Sequence, residues 1–178
     1  MRRLLISLAL LPAAATCAEP EYSATRFRTL KSSEIKINLR EQKCLATMIY
    51  GEARGEKEVG MIAVAYTAIN RAVNNTVCKV VLAPKQYSVF NDNPTLKAAA
   101  LSSHMEPVQK NIIAEASWDR AMRVAKLVLG KSVSDPTNGS THYLSPTLME
   151  QKRYKYPRWS KEYRVTVIID KHHFYKKK

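Results

Sequence analysis

Glu52 is the residue whose type and position ask for chemistry. Leu45, Met48 and Ile49 recur at the spacing of one helical face, and Glu52 continues that stripe, so a carboxylate projects where the pattern has placed apolar side chains. Burial disfavours the charged form of a carboxyl. A group so placed is expected to hold its proton near neutrality, as a general acid at a glycosidic oxygen must. The competing reading is a helix-end glutamate paired with Arg54 or exposed at the rim. Glu56 is the next acid in reach, although Gly55 between the two leaves its direction open. Two other chemistries find less support. Cys44 as a nucleophile has no local signature, and His104, His142, His172 and His173 form neither a His-Glu-x-x-His pair nor a Cys-x-x-Cys clip, so neither metal nor cofactor is expected.

The elements that must position Glu52 follow from periodicity. A first helix is predicted over 38–53, stopped by Gly55. A second, over 57–73, has Val59, Ile62, Ala63, Tyr66, Ile69 and Val73 on one face and Met61, Val64, Ala65 and Ala68 on others, which predicts the central buried helix. Between 74 and 107 the pattern breaks into loops around a short helical piece at 96–101, marked by Pro84, Asn91, Asp92, Asn93 and Pro94. A further helix is predicted over 108–129, packing through Ile112, Ile113, Ala116, Ala121, Ala125 and Val128 and closed by Gly130. Then the character changes. The run from Asp135 to Gly139 is dense in turn formers, 141–144 reads as a strand, and 164–169 with 172–175 reads as a terminal hairpin across Asp170-Lys171. The fold class is α+β, mostly helical, with a small antiparallel sheet.

The chain has 178 residues, enough for one core, and its 29 Lys+Arg against 15 Asp+Glu give a formal charge of +14. Such a surface implies a polyanionic partner, and charge alone does not choose among nucleic acid, anionic lipid and an acidic wall polymer. Collagen, coiled coil and polytopic membrane architectures are excluded by the 5 glycines, the lack of sustained heptads and the lack of an apolar run near ~20 residues. Arg2 and Arg3, the apolar stretch from Leu4 to Leu11, and Thr16-Cys17-Ala18 read as a secretory signal over 1–18. A polar arm follows over 19–37, then the catalytic domain over 38–178. Cleavage after Ala18 leaves the charge at +12 and leaves two cysteines, Cys44 and Cys78, which in an oxidising compartment are expected to form one disulfide.

The string Ile49-Tyr50-Gly51-Glu52-Ala53-Arg54-Gly55-Glu56 resembles the active-site segment of the spore-cortex-lytic (SleB-type) cell-wall hydrolases, whose acid stands in a Glu-Ala-Arg-Gly-Glu motif at a helix end. Further likenesses follow in order: Gly60, Ala63-Val64-Ala65 and Asn70-Arg71; Pro84-Lys85-Gln86-Tyr87-Ser88; the run from Asp135 to Tyr143; and His173-Phe174-Tyr175. The chain departs from the family pattern at Val89, where a Trp is expected, and at Ser140, where an Ala is. The resemblance implies a lysozyme-like or lytic-transglycosylase-like domain acting on peptidoglycan glycan strands. It puts Glu52 at the catalytic acid and Gln86, Tyr87, Ser88, His142 and Tyr143 along the substrate cleft. In such a cleft Gln86 and Ser88 would hydrogen-bond sugar hydroxyls or N-acetyl groups, and Tyr87 and Tyr143 would stack on pyranose faces.

Hydrolysis ordinarily needs a second carboxylate. The aspartates are Asp92, Asp119, Asp135 and Asp170. Asp92 and Asp135 sit in loops that suit turns, and with no convincing partner a single Glu acting first as acid and then as base favours lytic transglycosylation over muramidase hydrolysis. The expected partners are peptidoglycan and, by charge, anionic envelope polymers, with no nucleic acid and a monomeric chain. A phage endolysin and a bacterial wall-remodelling enzyme would share these features, and the alternative from another class is a non-catalytic basic periplasmic binding protein in which Glu52 is structural. The exported protein is expected to begin near Glu19; N-terminal sequencing that returns an intact Met1 would indicate a tethered form instead.

Overall fold

The computed structural model describes residues 37–101 and 112–178. The signal segment, the arm up to residue 36 and residues 108–111 of the expected long helix lie outside the described residues, as do the side chains of Asp92, Ile112 and Ile113. The elements are α1 (Leu39–Ala53), α2 (Glu58–Arg71), α3 (Val77–Val81), α4 (Ser88–Asp92), α5 (Pro94–Leu101), α6 (Ile112–Leu129), β1 (His142–Leu144), α7 (Pro146–Gln151), α8 (Trp159–Glu162), β2 (Arg164–Ile169) and β3 (His172–Lys176). The strands form one antiparallel sheet in the order β1-β3-β2.

α1 starts where it does because the Asn38 side chain accepts from the backbone N–H groups of Arg40 and Glu41, two of the donors a helix start leaves free. Residues 43–50 are all buried, and α1 packs against α2, α3, α4, α5 and α6. The central helix is therefore α1, where the apolar circumference of the second helix had suggested α2. α2 is buried on its small-residue face, Gly60, Met61, Ala63, Val64, Ala65, Thr67 and Ala68, while Val59 is 45% exposed and Val73, beyond the helix end, 80% exposed. Small side chains on that face let neighbouring elements approach closely, and the bulkier Ile62, Tyr66 and Ile69 are partly buried against the core. On α6 the same correction applies to one position: Ala116 is exposed, and Ala114 and Trp118 are buried with Ala121, Ala125 and Val128. Truncating Leu45, Met48 or Ile49, each fully buried, to Ala should cost about 2–5 kcal/mol.

The stretch expected as loops around one helical piece at 96–101 holds that piece as α5 and folds into two further short helices, α3 and α4. Thr76 caps α3 through Lys79 N–H, and the Glu41 carboxylate of α1 accepts from Cys78 N–H in the same turn. Further on, Ser145 caps α7, which has Pro146 at its start, and α8 is a single turn. The terminal hairpin is as read, turning at Asp170-Lys171 with Asp170 at φ 50°. A bulge at Thr166 lets Val167 and Ile169 face the core while Val165 and Ile168 stay exposed, so Val165 does not join the inward set as simple alternation had it. Phe174 on β3 is fully buried and anchors the sheet to the helices.

Cys44 of α1 and Cys78 of α3 are joined, with Cα atoms 5.2 Å apart and a separation of 34 in sequence. The bond closes a long loop, and in the chain-entropy account it stabilises by about 3–4 kcal/mol. Paired substitution to Ala should therefore lower the denaturation free energy by about that much, checked by urea titration, and peptide mapping without reductant should recover the linked pair.

Candidate active site

A cleft of about 370 Å³ opens between the end of α1, the C-terminal half of α2, the loop into α4, strand β1 and α8. It is lined by Glu52 from α1, Thr67 and Arg71 from α2, Lys85 to Ser88 from the loop and start of α4, Thr141 to Tyr143 around β1, and Trp159 from α8. Glu52, Gln86, Tyr87, Ser88, His142 and Tyr143, which are separate in sequence, all meet here. Glu56 does not line the cleft: a Cβ placed on Gly60 would meet its side chain at 3.0 Å, which puts it beside the start of α2.

Three donors hold the Glu52 carboxylate. Oε1 accepts from the Ser88 hydroxyl at 3.0 Å and from Val89 N–H at 2.9 Å, and Oε2 accepts from the Tyr143 hydroxyl at 2.9 Å. Val89 N–H is a first-turn donor of α4, so the carboxylate satisfies a group that the helix leaves without an internal partner. Gly51 makes this possible. A Cβ there would sit 2.0 Å from Val89 Cγ2, closer than any atoms can pack, so α4 reaches the carboxylate only across a residue without a side chain. Tyr143 is held from behind by an edge-on contact with His172 at 5.2 Å between ring centres and a tilted one with Phe174 at 5.9 Å. Burial first, and then the Glu52 charge, raise the Tyr143 phenol well above its ordinary range, so it remains an O–H donor.

The cleft's other groups divide into floor and wall. Tyr87 is only 4% exposed and forms the floor, with the Arg71 guanidinium 5.4 Å from its ring centre. Its hydroxyl is buried, and although Thr67 and Arg71 stand near, neither meets hydrogen-bond geometry with it. Little of that ring is left to stack on a sugar. On the wall, the His142 ring lies 4.8 Å from Trp159 and edge-on to Tyr163 at 5.0 Å, and its Nδ1 is 2.9 Å from the Thr141 hydroxyl. Burial, and then the charge of Arg71, lower the His142 pKa, favouring the neutral imidazole. Arg71, Lys85 and Trp159 were not singled out by sequence reasoning. Arg71 was inside a matched motif but had no role, and Trp159 stands within a Lys/Arg-rich run where a tryptophan has no local reason to be.

Strand β1 is placed by the loop before it. Asp135 Oδ1 accepts from the Thr137 N–H and hydroxyl, and Oδ2 accepts from Gly139 N–H and from Asn70 Nδ2, both at 2.9 Å. Asn70 also donates to Ser140 O, so α2 grips the loop at two points immediately before Arg71 turns to the cleft. The carboxylate of Asp135 is thus spent on the turn.

Comparison with known proteins agrees with this architecture. A family model described as cell wall hydrolase matches residues 55–175, a stretch that begins just after Glu52. No curated protein matches the chain significantly. Among solved structures, the catalytic domain of the Bacillus cereus SleB protein superposes with a TM-score of 0.51 at 23% identity, covering 78% of this chain and 91% of that one. The catalytic domain of the germination-specific lytic transglycosylase SleB from Bacillus anthracis gives 0.52 at 23% identity, covering 78% and 96%.

Burial pushes the Asp135 carboxyl up, but the hydrogen bonds from Thr137, Asn70 and Gly139 outweigh it and hold the group below its ordinary range. A depressed carboxyl contributes stability that is present above its unfolded pKa, near ~4, and is lost as pH falls through the lower folded value. Urea titrations from pH 6 down to 2 should show that loss. Asp135→Asn, which turns an amide donor against Gly139 N–H or Asn70, should be less stable at neutrality by about 1–3 kcal/mol and lose less on acidification.

Proposed function

The chain belongs to the cell wall hydrolase family of SleB-type enzymes, and from that premise we propose that it cuts peptidoglycan glycan strands with Glu52 as its single acid and base. The observation that supports this most is that Glu52 is the one carboxylate lining the cleft among the described residues. Hydrolysis would want a second carboxylate about 5–5.5 Å away as nucleophile or about 6.5–9.5 Å away to activate water. Glu56 is not among the residues lining the cleft, Asp135 is engaged by its own loop, Asp170 sits in the hairpin turn against Gly60, and Asp119 is exposed on α6.

The donors around Glu52 suit a proton that comes and goes. Val89 N–H can only donate, so Oε1 remains an acceptor and the proton belongs on Oε2. The Ser88 and Tyr143 hydroxyls can each rotate, so the carboxyl is held in both protonation states. In the first step Glu52 gives its proton to the glycosidic oxygen as the bond from the muramic acid C1 breaks. In the second, the muramic acid C6 hydroxyl attacks C1 and returns its proton to the carboxylate. The products are a free hydroxyl on the leaving sugar and a 1,6-anhydromuramic end, with no water consumed. That the structurally similar Bacillus anthracis domain is a lytic transglycosylase supports this route over hydrolysis. Gln86 and Ser88 offer polar groups to the sugar, and Trp159 offers an apolar wall. Work on peptidoglycan takes place outside the cytoplasm, which agrees with 1–18 as an export signal and 38–178 as the catalytic domain.

Glu52→Gln keeps the shape and removes the proton, and should cost at least ~100-fold in zymograms and turnover assays on purified peptidoglycan, with Glu56→Gln costing less. A folded Gln variant with near-normal turnover would return Glu52 to a structural role. Digestion in heavy-oxygen water should leave the new ends unlabelled; labelled reducing ends would mean hydrolysis.

A further inference from the structure

The cleft carries more positive charge than proton transfer to a neutral sugar requires. Arg71 and Lys85 both line it beside Glu52, and among the described residues neither is in an ion pair. Glu52, whose oxygens accept from Ser88, Val89 and Tyr143, supplies at most one negative charge against these two positive ones. Arg71 is fixed by its seat over the Tyr87 ring, 5.4 Å from the ring centre, at the end of α2 that Asn70 locks to the β1 loop. Lys85 is fixed at its backbone, which is left-handed at φ 60° with its N–H donating to Asn91 Oδ1. Two cations, one of them pre-oriented and planar, make a site matched to a carboxylate.

We propose that Arg71 and Lys85 seat a carboxylate carried by the muramyl residue of the glycan, and so select muramyl over N-acetylglucosaminyl units for the bond at Glu52. This rests on the peptidoglycan reading above. N-acetylglucosamine is neutral, whereas muramic acid carries a lactyl ether at O3. Where the peptide stem has been removed, that group ends in a free carboxylate. Where the stem is present, the lactyl carbonyl is an amide and the acids lie further along the peptide. One chemistry therefore has two sources.

The test is binding to the Glu52→Gln protein, which removes turnover from the readout, with three probes: stem-free glycan fragments, fragments with intact stems, and N-acetylglucosamine oligomers. Adding Arg71→Gln should weaken the carboxylate-bearing probes by roughly 10- to 100-fold, and more at low salt, while N-acetylglucosamine oligomers change by less than about twofold. Lys85→Gln, at an exposed position, should act in the same direction and serves if the Arg71 variant fails to fold. A loss confined to stem-free fragments assigns the lactyl carboxylate, and one confined to intact fragments assigns the stem. Equal losses for all three probes, or none for any, would overturn the carboxylate seat. Binding of no peptidoglycan fragment at all would overturn the substrate reading, and the seat with it.

Discussion

The Glu52 carboxylate is hydrogen-bonded to two stretches of chain that lie 36 and 91 residues away, and its own helix is packed against α2, α3, α4, α5 and α6. It satisfies a first-turn N–H of α4 and orders the Tyr143 hydroxyl of β1, so the loop, the short helix and the sheet are registered to the end of α1 by one group. A carboxylate that holds three donors costs less to half-bury than a bare one. That is the constraint from which the cleft follows: α4 has to come within hydrogen-bond reach, and Gly51 is where it does so.

The surrounding frame serves that approach. α1 occupies the centre because its apolar stripe and its capped start let it be covered on nearly all sides, while α2 is buried on its small-residue face. The disulfide ties α1 to α3, and α3 leads into the loop that carries Lys85 to Ser88. On the other side, Asp135 and Asn70 fold the lead-in to β1 onto α2, and Phe174 fixes the sheet to the core. The hairpin turn packs on the start of α2, where a Cβ on Gly60 would be 2.7 Å from Asp170 Oδ2. Glycine and asparagine at these junctions act by allowing close approach and by supplying paired hydrogen bonds.

Electrostatics then separates the roles inside the cleft. Tyr143 is kept as a phenol by burial and the neighbouring carboxylate, and His142 is kept neutral by burial and by Arg71. Among the described residues Arg71 and Lys85 are in no ion pair, so the cleft holds two cations against the one carboxylate of Glu52. The +14 of the whole chain acts at long range, where salt screens it, whereas the two cleft cations act at contact.

Sequence periodicity alone determined the helical class, the first helix with its carboxylate, the long sixth helix and the terminal hairpin, since each depends on neighbours within a few residues. The motif order also gathered Glu52, Gln86, Tyr87, Ser88, His142 and Tyr143 before any coordinates did. What only the tertiary structure decided were matters of distance: which face of α2 is covered, that α1 is central, that the Thr166 bulge turns Val165 outward, and that α3 and α4 form where loops were read around the piece at 96–101. These depend on packing and on caps supplied from far along the chain, such as Glu41 on α3 and Glu52 on α4. The same reason hid Arg71 and Trp159. A cation and an indole in polar stretches look like solvated surface until the fold brings α2, β1 and α8 around one cleft.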